Sequence, residues 1–183
     1  MMNSNSKQYS KTFSNGRFIV TLGMMLCLTL SLAFTSCRND DDVMDIFVGG
    51  GKTWKLTYIS RDGSNQWYDF WGDNEAARKA SETAMENENN FVLNFEGGAT
   101  GVSTGGAMNG RGIKTPFNGS WTIGEGRNLT ITLQNNPSET DPLAKAFVNG
   151  LKGVTRYEGD TQNLYLFYTS GEITMRMSFH VQE

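Results

Sequence analysis

Histidine and cysteine are scarce in this chain. His180 is the only histidine among 183 residues, and cysteine occurs twice, at Cys27 and Cys37. A zinc site converges three or four ligands such as His, Cys and carboxylate, so this inventory carries no metal signature. Nucleophilic catalysis of the Ser-His-Asp kind needs a histidine beside a serine, and no G-x-S-x-G elbow is present for His180 to serve. Flanked by Phe179 and Val181 late in an alternating segment, His180 reads as an exposed sheet residue. A basic excess is also missing: the net charge is −3, which gives nucleic acid no electrostatic footing. The acids lie mostly in charged, alanine-rich or turn segments, so no carboxylate pair is set for glycoside hydrolysis. Asp40 to Asp45 lacks the glycine and terminal glutamate of a calcium loop, and Gly105, Gly106, Gly110 and Gly112 lack the Lys-Ser/Thr ending of a phosphate cradle. No catalytic residue and no cofactor is implied.

One long apolar run is present. Phe18 to Phe34 (FIVTLGMMLCLTLSLAF) follows Lys7, Lys11 and Arg17, and the small residues Thr35 and Ser36 lead into Cys37. A basic region, an apolar stretch and a small-residue junction make a secretory signal peptide over residues 1–36. The run is also about long enough to span a membrane, although Thr21, Gly23, Thr29 and Ser31 dilute it. An uncleaved anchor is therefore the competing reading. The junction resembles the lipobox of bacterial lipoproteins, which implies Cys37 as the lipidation site and first mature residue. Cys27 follows Met25-Leu26 rather than small residues and is a poor processing site. Cleavage before Cys37 leaves one cysteine, lipid-bearing, and no disulfide within the chain. It also removes three cations and no acid, making the mature chain more negative.

Residues 37–50 read as an acidic tether, since Asp40, Asp41, Asp42 and Asp45 repel one another and favour an extended, solvated chain. The acidic triplet also resembles the surface-export signal of Bacteroidetes lipoproteins. Residues 51–183 are of single-domain size. Lys52 to Ile59 alternates as a half-buried strand with Trp54, Leu56 and Tyr58 on one face. Arg61 to Asn65 is a turn cluster, and Gln66 to Trp71 is dense in aromatics. Asp73 to Asn90 has the composition of a surface helix that Asp73 could cap, so 61–90 reads as an insertion. Phe91 to Phe95 alternates as a strand, with Ala99 to Ser103 as its hairpin partner. Thr104 to Pro116, rich in glycine, reads as a flexible loop. Two strands, Phe117 to Ile123 and Asn128 to Leu133, precede a helix announced by Asp141-Pro142 and stopped by Gly153. Three strand-like stretches, 154–158, 163–169 and 172–181, close the chain. The fold class is mostly β: a small antiparallel barrel or strongly curved sheet with one helix in the C-terminal half.

The order of these pieces resembles the META domain, the HslJ-like family. Gly51-Lys52-Thr53-Trp54-Lys55-Leu56 is similar to its opening G-x-x-W-x-L strand. Phe91 to Phe95 and Asn118-Gly119-Ser120-Trp121 are similar to its middle segment. Ala146 to Leu151, Val154 to Tyr157 and Leu164 to Leu166 follow its closing helix-strand-hairpin order. The family's two cysteines are absent, with Ala107-Met108-Asn109-Gly110 and Asn135 to Ser138 in their places. A lipocalin-like barrel of another family competes with this resemblance. The META resemblance implies a non-enzymatic domain with a role in envelope maintenance or stress, while the lipobox-like junction and the acidic triplet imply that it is lipid-anchored in the outer membrane and surface-exposed.

Trp67, Tyr68, Asp69, Phe70 and Trp71 form the candidate ligand-binding group. Aromatic faces stack on sugars and apolar ligands, and Gln66 and Asp69 add hydrogen-bonding groups. The alternative reading is that these rings plug the barrel mouth. The second functional reading is therefore a lipocalin-like binding module for a glycan or small apolar ligand. Trp54 and Trp121 are expected in the core. The sequence points to a membrane contact through the N-terminal lipid and leaves protein partners open.

Overall fold

The computed structural model describes residues 40–97 and 104–182. Cys37 and the 99–103 segment expected as a hairpin partner lie outside them. Helix α1 (Asp40–Phe47) is followed by strand β1 (Thr53–Arg61), helix α2 (Glu75–Glu86), and strands β2 (Val92–Phe95), β3 (Gly105–Arg111), β4 (Pro116–Ile123) and β5 (Leu129–Leu133). Helix α3 (Pro142–Lys152) leads to β6 (Val154–Gly159), β7 (Asn163–Ser170) and β8 (Ile173–Gln182). The eight strands form one antiparallel sheet in the order β5-β4-β3-β2-β1-β8-β7-β6. Among the described residues the two edges approach at a single bridge, Asn128 to Arg156, and no ladder closes them. The result is an open, barrel-like curved sheet.

Its inner face is filled with aromatic rings. β2 and β4 run in the same direction, each antiparallel to β3 between them. Toward the ends of both strands, Phe47 from α1 stacks on Trp121 at 4.8 Å and meets Phe95 and Tyr157 edge-on, each at 4.9 Å. Toward their starts, Phe147 from α3 packs against Phe91 and Phe117, and also against Phe179. Trp54 and Trp121 are fully buried, as their alternation predicts. α3 begins at the expected signal, with the Asp141 carboxylate accepting from the Ala144 amide and Pro142 in the first turn.

Several local expectations are corrected. Residues 40–47 are helical rather than extended, and Val43 and Phe47, one turn apart, are both buried. The four-residue spacing of the two side chains outweighs the mutual repulsion of the acids. Helix α2 is capped by Asn74, one residue beyond the expected Asp73. In β1 the ladder slips between Leu56 and Tyr58, where Thr57 is an extra residue. This bulge switches the alternation, so Ile59 enters the core and Tyr58 turns to the outer face. The glycine-rich stretch expected as a loop is β3. A Cβ on Gly110 would lie 2.5 Å from the Val92 carbonyl oxygen and 2.8 Å from the Phe117 ring. That glycine allows a close backbone approach rather than freedom.

Candidate functional site

The loop from β1 to α2 carries the aromatic group, and the structure divides it. Its entry is fixed by the Tyr68 amide, which donates to the Ile59 carbonyl. Its exit is fixed by Asp69, whose Oδ1 accepts from the Trp71 and Gly72 amides at 3.0 Å and from Arg78 at 3.3 Å. Trp71 turns inward and is 8% exposed. Its Nε1 donates to the Ser81 hydroxyl at 2.8 Å, and that hydroxyl donates to Asp141 at 2.6 Å. This buried chain ties the loop to α2 and to the start of α3. Phe70 packs half-buried against the core, 4.9 Å from Tyr68.

Trp67 goes the other way. At 42% exposure it is the one large hydrophobic side chain left open among the described residues. It borders an open cleft of about 410 Å³ lined also by Arg61, Ser64, Gln66, Tyr68 and Asp69. Arg61 lies over the Tyr68 ring at 5.5 Å. Of the five expected residues, the structure thus brings Trp67, Tyr68 and Asp69 to the cleft and packs Phe70 and Trp71 against the core instead. Arg61 and Ser64 complete the wall. Composition marks both only as turn residues, because their place in the wall depends on how the chain doubles back.

Two other polar groups, Lys55 and Glu139, escaped the reading of the sequence. Lys55, on the outer side of β1, is 8% exposed and donates to the Asn87 and Asn90 carbonyls, both at 2.6 Å. Burial pushes its ammonium below the ordinary lysine value of 10.5, with Glu88 acting in the opposite direction. Glu139, 6% exposed, accepts from the backbone amides of Ile113, Lys114 and Thr115 between 3.1 and 3.3 Å. It fixes the β3–β4 turn. His180 is exposed, and its Nδ1 lies 2.8 Å from the Thr57 hydroxyl at the bulge. Among the described residues no three His, Cys, Asp or Glu side chains group closely enough to hold a metal. Among them, too, no helix is long and apolar enough to cross a membrane.

These features define a class: an open barrel-like β domain with a filled interior and its exposed aromatic surface on one rim loop. The model of the family described as "Domain of unknown function (DUF4847)" matches residues 38–181, and the chain belongs to that family. A crystal structure of a DUF4847 family protein from Bacteroides vulgatus ATCC 8482 shares the fold. It matches with a TM-score of 0.55 and 20% identity, over 75% of this chain and 96% of that one. No curated protein matches the chain. The expected kinship with the META domain is thereby overturned. The quoted G-x-x-W-x-L and helix-strand-hairpin segments mark a buried opening strand and a closing meander, which antiparallel barrels of different families share.

Proposed function

We propose that the protein is a lipid-anchored, non-enzymatic envelope domain that binds glycan at the Trp67 cleft. The observation that carries the reading is the placement of one open indole among Arg61, Ser64, Gln66 and Asp69. An apolar face bordered by hydrogen-bonding groups suits a sugar ring, which presents C–H surfaces and hydroxyls together. A small apolar ligand is served less well. The lipocalin-like interior that would enclose it is occupied by Phe47, Trp121, Phe147 and their neighbours. The signal-like segment ahead of Cys37 supports extracytoplasmic attachment at the outer membrane, and the acidic stretch after it supports surface exposure.

The test is intrinsic fluorescence of the detergent-solubilised full-length chain titrated with mannan and with a neutral β-glucan. Binding at the cleft quenches or shifts the emission of Trp67, and Trp67→Ala abolishes the response while the unfolding temperature stays unchanged. A chain silent toward both polysaccharides, or a response that survives Trp67→Ala, would remove the cleft from the reading. Attachment has its own test. Cys37→Ser is expected to abolish lipid labelling and release the protein from membranes, and unchanged retention would favour the uncleaved span.

A further inference from the structure

A second polar cleft lies on the outer face of the sheet, away from Trp67. Strand register places Asn94 of β2 opposite Asn109 of β3, and Asn109 opposite Asn118 of β4. Their chain neighbours Leu93, Phe95, Met108 and Phe117 are buried in the core, so the three amides share the outer face. Directly opposed residues stand about 5 Å apart, close to the repeat of successive sugars in a chain. Beside this row a cleft of about 480 Å³ opens between the sheet and the 87–90 turn, with Asn89, Asn94, Asn109 and Arg111 among its lining residues.

The groups facing it keep unused hydrogen-bonding capacity. The Asn94 amide nitrogen donates to the Thr53 hydroxyl at 2.7 Å, and its oxygen has no partner among the described residues. The Asn109 nitrogen reaches Glu96 at 3.3 Å, and its oxygen likewise has no partner among the described residues. Arg111 uses Nε on the Ile113 carbonyl, and its two terminal nitrogens have no partner among the described residues. The turn forming the far wall is held from below. Lys55 binds the carbonyls of Asn87 and Asn90, and the Asn90 side chain donates to the Ala84 carbonyl. At the foot of the turn Phe91 adopts φ +53°, a left-handed conformation costly for a bulky residue. Strain of this kind persists where the surrounding structure fixes the backbone, and it gathers at ligand sites.

We propose that this cleft is a saccharide site in its own right, with the asparagine amides reading hydroxyls and Arg111 receiving a carboxylate of an acidic sugar. Neutral amides donate and accept side by side, as hydroxyls do. A guanidinium binds carboxylate through two parallel N–H groups. A wall fixed before binding lowers the cost of ordering. The proposal does not depend on occupation of the Trp67 cleft.

Affinity electrophoresis of the detergent-solubilised full-length chain separates the two sites, with polygalacturonate as the acidic probe and dextran as the neutral one. The wild type is expected to be retarded by polygalacturonate and not by dextran. Arg111→Gln should abolish the retardation, and Asn109→Ala, at an exposed position, should weaken it about tenfold without changing the unfolding temperature. Trp67→Ala should leave it intact. The proposal is overturned by a wild type that polygalacturonate does not retard, or by retardation that both cleft variants keep. Equal retardation in dextran that Trp67→Ala keeps overturns the carboxylate assignment. Loss of polygalacturonate retardation in Trp67→Ala alone transfers the binding to the rim loop.

Discussion

Tyr168 of β7 shows how a single side chain reports on the packing around it. It is 6% exposed and lies against α3 at Gly150, where a Cβ would stand 3.0 Å from its ring. Burial, with a smaller contribution from Tyr68, pushes its phenol up from 10.0 to about 12. The unfolded chain releases this proton near pH 10 while the native protein keeps it, so the native state binds more protons between those values. Stability is therefore whole below pH 10 and lost as pH rises toward 12. Lys52 and Lys55, both lowered by burial, act in the opposite sense, each gaining stability as pH climbs toward 10.5. Comparison with Tyr168→Phe, rather than the raw profile, isolates the phenol. Urea unfolding at pH 9, 10 and 11 should show a smaller alkaline loss for Tyr168→Phe than for the wild type. Equal losses would mean that the phenol ionises normally.

Elements were legible in the sequence where local chemistry and burial agree. α3 carries both signals, since Asp141 and Pro142 mark its start and Leu143, Phe147 and Leu151 lie on its buried side. β3 carries neither, because Gly105, Gly106 and Gly110 leave few side chains to alternate, and what makes it a strand is its pair of neighbours. The same limit hid the Asn94–Asn109–Asn118 row, which exists only once three strands are in register. It also hid the fate of Trp67 and Trp71. Both belong to one aromatic cluster, and what buries the second is Ser81 on α2, held in turn by Asp141. The β3 account has a direct consequence. Gly110→Ala forces a methyl against the Val92 carbonyl and the Phe117 ring, so it should cost about 1–3 kcal/mol, the range for overpacking. It should also speed amide hydrogen exchange in β2 and β3 ahead of β7 and β8. If β3 were a loose loop, the substitution would be neutral or slightly stabilising.

For the whole molecule, the main revision concerns where the folded domain begins. The sequence suggested an acidic tether with the domain starting at residue 51, yet Phe47 is the inner wall for Phe95, Trp121 and Tyr157, and its carbonyl accepts the Trp54 indole N–H at 3.2 Å. α1 is thus part of the core, and in the sequence only Arg38 and Asn39 separate it from Cys37. An anchor at Cys37 would hold the domain close to its membrane rather than on a long leash. Phe47→Ala should cost about 3–5 kcal/mol, the usual range for a buried phenylalanine, a large share of the ~5–15 kcal/mol typical of a whole domain. Deleting 40–48 should do more, since it also leaves the Trp54 N–H without its acceptor, and the cooperative urea transition should be lost. A flexible Gly-Ser insertion between Cys37 and Asp40 should leave the midpoint unchanged, because it lengthens the chain ahead of α1 without touching what α1 buries. If the 40–48 deletion unfolded at the wild-type midpoint, α1 would be an appendage and the domain would begin at β1 after all.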